Sequence, residues 1–159
     1  MSVNVVDIRE TLSTFLTETF ESGNNPEGTM YLDRGVGLFD SVANLSAEQA
    51  SRKVIPGGTT VAAQVNHSSY YLEVLESYIQ GETPEKDWPG SWQPQRVDEA
   101  AWQALKDKLK TTYERLSATL QSQDDWDKLE DGFAIAIHTA YHLGAIRQML
   151  KLVEGENHA

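Results

Sequence analysis

The segment HTAYHLGAIRQML, residues 138–150, carries two histidines four positions apart, His138 and His142, in a largely apolar stretch. On a helix, residues four apart share a face, about 40° and about 6 Å from each other. Both imidazoles can then point at one ion, at about 2.0–2.1 Å per bond if that ion is zinc. Nickel also accepts neutral imidazole, so the spacing does not choose the metal. Two ligands hold an ion weakly. His67, in a different apolar-striped segment, is the candidate third ligand. Spacing alone leaves a second reading open, in which these are buried imidazoles hydrogen-bonded to backbone carbonyls. A zincin helix would place Glu directly after the first histidine; Thr139 stands there, so a metalloprotease is not expected.

Other groups could serve such a site. Tyr71 follows His67 by four positions and shares its side of the helix, and Tyr141 follows His138 by three. Both are candidate substrate contacts, against the commoner role of packing. Arg147 could hold an anionic group, although an exposed or ion-paired arginine is more usual. Gln64 and Asn66 are candidate outer partners of the ligands, or solvated amides. Spacing places no carboxylate on the face of His138 and His142, so no general base is named.

The rest of the chain narrows the chemistry. It has 159 residues, the usual size of one domain, and residues 1–159 read as a single unit. Cysteine is absent, which excludes disulfides, thiolate zinc sites, iron–sulfur clusters and a cysteine nucleophile. Any thiol chemistry needs a thiol brought in by a small molecule. A net charge of −11 disfavours nucleic acid and anionic membrane as partners. MSVNVVDIRE has neither the basic start nor the apolar run of a signal peptide, and no stretch approaches the ~20 apolar residues of a membrane helix. The expectation is a soluble cytoplasmic protein. PGG at 56–58 lacks the lysine and the preceding strand of a phosphate-binding loop.

These side chains need helices to position them. Val5, Ile8, Leu12, Phe15, Leu16 and Phe20 recur at spacings of three and four, predicting a helix over 4–22. Gly23, Pro26 and Gly28 break it. Residues 29–44 read as a further short helix. Ser46 with Gln49 resembles a capping box on a one-turn helix. A long helix over 60–80, capped by Thr59 or Thr60 and ended by Gly81, carries the stripe Val61, Val65, Ser68, Leu72, Leu75 and Ile79 with His67 beside it. The proline-rich 81–96 is a crossover, with Trp88 and Trp92 lying down on the bundle. Asp98 caps a helix reaching about Gln123, with Val97, Ala101, Leu105, Leu109, Tyr113, Leu116 and Leu120 facing inward. DDWDKLEDG is a short connection with one helical turn. The last helix spans 133–153, apolar nearly all round and therefore expected to be the most buried. EGENHA, including His158, is a frayed tail. No segment alternates with period two, so the fold class is all-α: a four-helix bundle with a long crossover between the second and third helices.

One histidine on the second bundle helix followed by HTAYHLGAIRQ on the last resembles the DinB/YfiT-like superfamily. LSAEQASRKVIPGGTTVAAQVNHSSYYLEVL is similar to that family's run from the first connection into the second helix. The likeness covers about residues 29–152. It implies an up-down-down-up four-helix bundle, a divalent metal held by His67, His138 and His142, and often a homodimer. It implies no polymerase and no DNA binding. Many relatives carry arginine directly after the last ligand; here Leu143 stands there, and the arginine is Arg147.

Three protein ligands leave a coordination position open, as catalytic metal sites do. An ion there acidifies a bound water or thiol. Branches of the family use low-molecular-weight thiols such as bacillithiol and mycothiol. The expectation is a metal-dependent enzyme, a thiol-dependent S-transferase or hydrolase of a small-molecule substrate, with zinc or nickel as cofactor and a small thiol as co-substrate. The alternatives are a non-catalytic bundle that binds a metal or small molecule, and a bundle with no metal at all.

Overall fold

The computed structural model describes residues 4–22 and 29–156, and every regular element within them is helical. The breakers Gly23, Pro26 and Gly28 lie outside the described residues, as does His158. Six α-helices run in order: α1 (Val5–Glu21), α2 (Leu38–Ala43), α3 (Ala47–Ala50), α4 (Val61–Ile79), α5 (Glu99–Gln121) and α6 (Trp126–Glu156), with a 3-10 turn at Gly90–Trp92. Side-chain caps start four of them. Asn4 and Asp7 exchange side-chain and backbone bonds at α1, as do Ser46 and Gln49 at α3. Thr60 caps α4 and Asp98 caps α5.

α4 is the central rod. It packs on both α5 and α6, and α1 packs on α6 and α5. Thirteen of its 19 residues are buried, including the whole stripe from Val61 to Ile79. Along α4, Gln64, Tyr71 and Tyr78 meet His142, His138 and Lys128 of α6 in turn, so these two helices are antiparallel. Glu73 and Glu76 pair with Lys108 and Arg115, so α4 and α5 run the same way. Glu76 is buried. It accepts from Arg115 Nε and Nη2, each at 2.7 Å, and from the Thr119 hydroxyl at 3.2 Å. Charge-assisted bonds of this kind allow a carboxylate to sit in the seam. No described helix is long and apolar enough to cross a membrane.

Four expectations are corrected. Residues 29–37 do not form a helix, and only Leu38–Ala43 do. The reason is Glu18, 2% exposed, whose carboxylate accepts the N–H groups of Met30, Tyr31 and Leu32 at 2.6, 2.7 and 2.5 Å. Those donors are spent on a side chain instead of on a helical ladder. Gly37 follows because the segment crosses α1 closely: a Cβ there would lie 2.4 Å from the Ser22 nitrogen. Ala101 is exposed, and the neighbouring Trp102 fills the core, donating from Nε1 to the Leu45 carbonyl at 2.7 Å. The last helix begins at Trp126, not 133, so the expected connection is its first two turns. Gly132 is tolerated there because a Cβ would meet Leu12 Cδ2 at 2.5 Å, where α1 crosses. Nor is α6 the most buried helix: its Ile137 and Tyr141 are 69% and 72% exposed, whereas α4 buries thirteen of its 19 residues.

Burial pushes the Glu18 carboxyl up, and the three N–H bonds outweigh it, leaving its pKa below the ordinary carboxylate value. Glu18→Gln removes the charge and turns one acceptor into a donor facing N–H groups. It should cost about 2–3 kcal/mol in urea unfolding, while an exposed control, Glu10→Gln, should cost little.

Candidate metal centre

α4 delivers His67 and α6 delivers His138 and His142 to one place. One ligand atom from each ring lies within 4.8 Å of the others. His67 and His142 are buried and His138 is partly so. The group could hold a metal ion.

Hydrogen bonds decide which nitrogens are free to do so. The Ser91 hydroxyl donates to the Trp88 carbonyl at 2.6 Å, so at 2.7 Å from His67 Nδ1 it must accept. His67 therefore carries its proton on Nδ1 and presents a lone pair at Nε2. Gln64 Oε1, an acceptor only, lies 2.6 Å from His142 Nδ1. With the amide oxygen facing the ring, His142 is protonated at Nδ1, and its Nε2 is also a bare lone pair. That lone pair faces His138 Nε2 at 2.9 Å. Either His138 donates a proton across this gap, or both lone pairs converge on a cation. Two nitrogens 2.9 Å apart, each about 2.0–2.1 Å from an ion, subtend about 90° at it. Outer partners that fix tautomer and ring orientation are what imidazole ligands require.

Aromatic rings hold the imidazoles from the sides. Trp92 stacks on His67, with centroids 3.9 Å apart and planes 11° from parallel. Tyr71 stacks on His138 at 3.6 Å, also at 11°. No partner for His138 Nδ1 occurs among the described residues, so the Tyr71 stack and the contact of Nε2 with His142 orient this ring. The crossover is tied down at the same point: Asn66 Nδ2 donates to the carbonyls of Ser91 and Gln93 at 2.9 and 2.6 Å. Trp88 and Trp92 thus lie on the bundle, with Trp88 edge-on to Tyr70 at 5.4 Å.

The candidate contacts divide. Tyr71 is within the cluster. Tyr141 presents its ring edge-on to His142 at 5.1 Å but is largely exposed. Arg147 pairs with Asp33 at 4.0 Å and makes no contact with a histidine among the described residues. Of the two amides, Gln64 holds a ligand and Asn66 holds the crossover. Two residues went unnamed. Ser91 lies 24 positions from His67, and no periodicity reports on such a loop contact. Asp131 is seven before His138 on the same helix, so it shares that face once α6 is seen to start early. After the effect of burial, its charge also raises the Tyr71 pKa.

Burial, and then the neighbouring imidazoles, hold His138 down to about 4 and His142 to about 3. Burial lowers His67 as well. The folded protein therefore keeps these rings neutral, whereas the unfolded chain protonates them near pH 6.5. Their contribution is complete above about pH 6.5 and is lost as pH falls towards the folded values. In the presence of a chelator, the melting temperature should drop between about pH 6.5 and 5, a range in which carboxylates titrate little. His142→Leu should flatten that drop; an unchanged slope would contradict the burial of a neutral ring. No protein-family model, curated protein or solved structure matches this chain.

Proposed function

We propose that the chain is a divalent-metal protein of DinB/YfiT-like type, a four-helix bundle of α1, α4, α5 and α6 in up-down-down-up order. In this reading it uses its three-histidine site as a metal-dependent enzyme, a thiol-dependent S-transferase or a hydrolase. The single observation that carries it is the tautomer pattern: two Nδ1–H groups are tied to Ser91 and Gln64, turning the Nε2 lone pairs towards one point. The antiparallel α4–α6 pair and the parallel α4–α5 pair support the proposed order.

The donor set, three neutral imidazoles, suits zinc or nickel. When bound, such an ion supplies Lewis acidity that acidifies a water or a small thiol. The chain's own residues then have limited tasks. Ser91 and Gln64 keep two imidazoles in the ligating tautomer. Trp92 shields one face of His67 from water, and Tyr71 fixes the plane of His138. With no cysteine in the chain, any thiol enters as co-substrate. The electrophile is a small molecule approaching from the side that the rings leave free.

Protein purified without a histidine tag should carry zinc or nickel, measured by elemental analysis. His142→Ala should lose most of the metal yet keep its helical signal, since the apolar stripes do not depend on the ion. His158→Ala should lose none. Gln64→Leu should weaken metal affinity by about 10–100-fold through the freed imidazole. Turnover of a generic electrophile with a panel of small thiols, and of simple esters without them, separates transferase from hydrolase. No uptake of either metal by wild-type protein would sink the proposal.

A further inference from the structure

The α4–α6 seam carries one titratable group that the metal centre does not use. Lys128, Asp131, Ile135, His138 and His142 recur along α6 at spacings of three and four, on the ridge that meets α4. Ile135 and His142 are buried, whereas Asp131 and His138 are partly exposed. Seven residues return a helix to within about 20° of its starting direction, so these two share the open edge of the seam, about 10 Å apart along the axis. Between them on that edge stands Ala134, whose methyl group leaves the stretch shallow. The Asp131 carboxylate makes no hydrogen bond or ion pair among the described residues. Lys128 spends its Nζ on the Tyr78 carbonyl at 3.0 Å, and Arg147 is turned to Asp33. Burial pushes the Asp131 carboxyl above its ordinary value, and the charge of Lys128 does not restore it. Aromatic faces complete the edge. Tyr71 stacks on His138 and feels the Asp131 charge, and the exposed Trp88 lies 6.0 Å from Tyr71.

We propose that this edge recognises a positively charged nitrogen on the small molecule that the metal centre uses. One end of that molecule reaches the histidine cluster, and an ammonium group at the other pairs with Asp131 beside the Tyr71 and Trp88 rings. The inference rests on the metal-centre reading and narrows its co-substrate to an aminothiol. A partly buried carboxylate without donors is unfavourable until a cation arrives, and ring faces attract the same charge. A carboxylate or phosphate on the ligand would instead be repelled by Asp131, and Lys128 is already committed to a carbonyl. A span within about 10 Å, with both side chains reaching into it, suits about four carbons between sulfur and nitrogen.

The test uses the full chain loaded with cobalt(II), whose near-ultraviolet band reports sulfur bound at the ion. Aminobutanethiol, mercaptobutanol and mercaptobutanoate share one chain and differ in the charge of the head. Wild type should bind them in that order, with aminobutanethiol at least about threefold tighter than mercaptobutanol. Thiol acidity also differs among them, so each preference is read as the ratio of wild type to Asp131→Asn. The variant should take up cobalt unchanged, lose the preference for ammonium and gain affinity for mercaptobutanoate. A preference retained in Asp131→Asn, or an equal loss for all three thiols, would overturn the proposal and leave the metal centre standing. So would cobalt uptake with no sulfur band for any thiol. No cobalt uptake by wild type would remove the metal-centre reading and the proposal together. Should the variant fail to fold, added salt decides in the wild type. The ammonium preference should shrink as ionic strength rises from about 0.05 to about 0.5 M, and a preference indifferent to salt would overturn the proposal.

Discussion

Three imidazoles can bring nitrogens within 4.8 Å of one another inside a protein only if they stay neutral. Two unit charges about 4 Å apart repel by about 4 kcal/mol even with the screening of a protein surface, and a third charge adds two further repulsions. Neutrality in turn leaves each ring one proton and one lone pair, and the proton must find an acceptor. Much of the local architecture supplies those acceptors. The crossover descends onto α4 so that the Ser91 oxygen reaches His67, and α4 runs antiparallel to α6 so that Gln64 reaches His142. A charged cluster of the same rings would present two donors per ring and repel itself, and could not be buried.

Helix packing makes the meeting possible. His67 and Tyr71 are one turn apart on α4, and His138 and His142 are one turn apart on α6. Run antiparallel, the two pairs interleave: Tyr71 covers His138 while His67 approaches His142, with ring centroids 3.6 and 4.9 Å apart. The ladder continues on both sides, to Gln64 at one end and to Lys128 on the Tyr78 carbonyl at the other. The chemistry-bearing residues thus form a polar interruption within an otherwise apolar seam. Leu72, Leu75, Ile135 and Ile146 are buried in the same two helices and keep water out of it.

What the sequence made legible was what repeats. The stripes of α1 and α4, the caps at Ser46, Thr60 and Asp98, and the pairing of His138 with His142 follow from local spacing. Gln64 and Asn66 were readable only as candidate outer partners, and the ring that Gln64 holds, His142, lies on another helix. What could not be read depended on groups distant in the chain. The three N–H bonds of Glu18 convert residues 29–37 from an apolar pattern that suggests helix into a series of bends and a turn held against α1. Trp102 displaces Ala101 from the core because a large ring with one donor can reach the Leu45 carbonyl and a methyl group cannot. The nearly all-round apolar character of α6 suggests the most buried helix, yet Ile137 and Tyr141 face outward. Apolar composition states what a helix tolerates, not how many neighbours it has.

The crossover that carries Ser91 and Trp92 is a strap: it hydrogen-bonds one ligand, His67, and its Trp92 ring also lies edge-to-face with His142 at 5.7 Å. Asn66 fastens it through two carbonyls, and beyond that point it joins α5 through a stretch with little helical structure. Lifting the strap would release the His67 proton to either nitrogen, uncover its ring and remove Trp92 from His142, while leaving the Gln64–His142 bond in place. The residence time of a coordinated ion would then be set by how often this loop peels away, and a cut in the backbone there would loosen the chelate without unfolding the bundle.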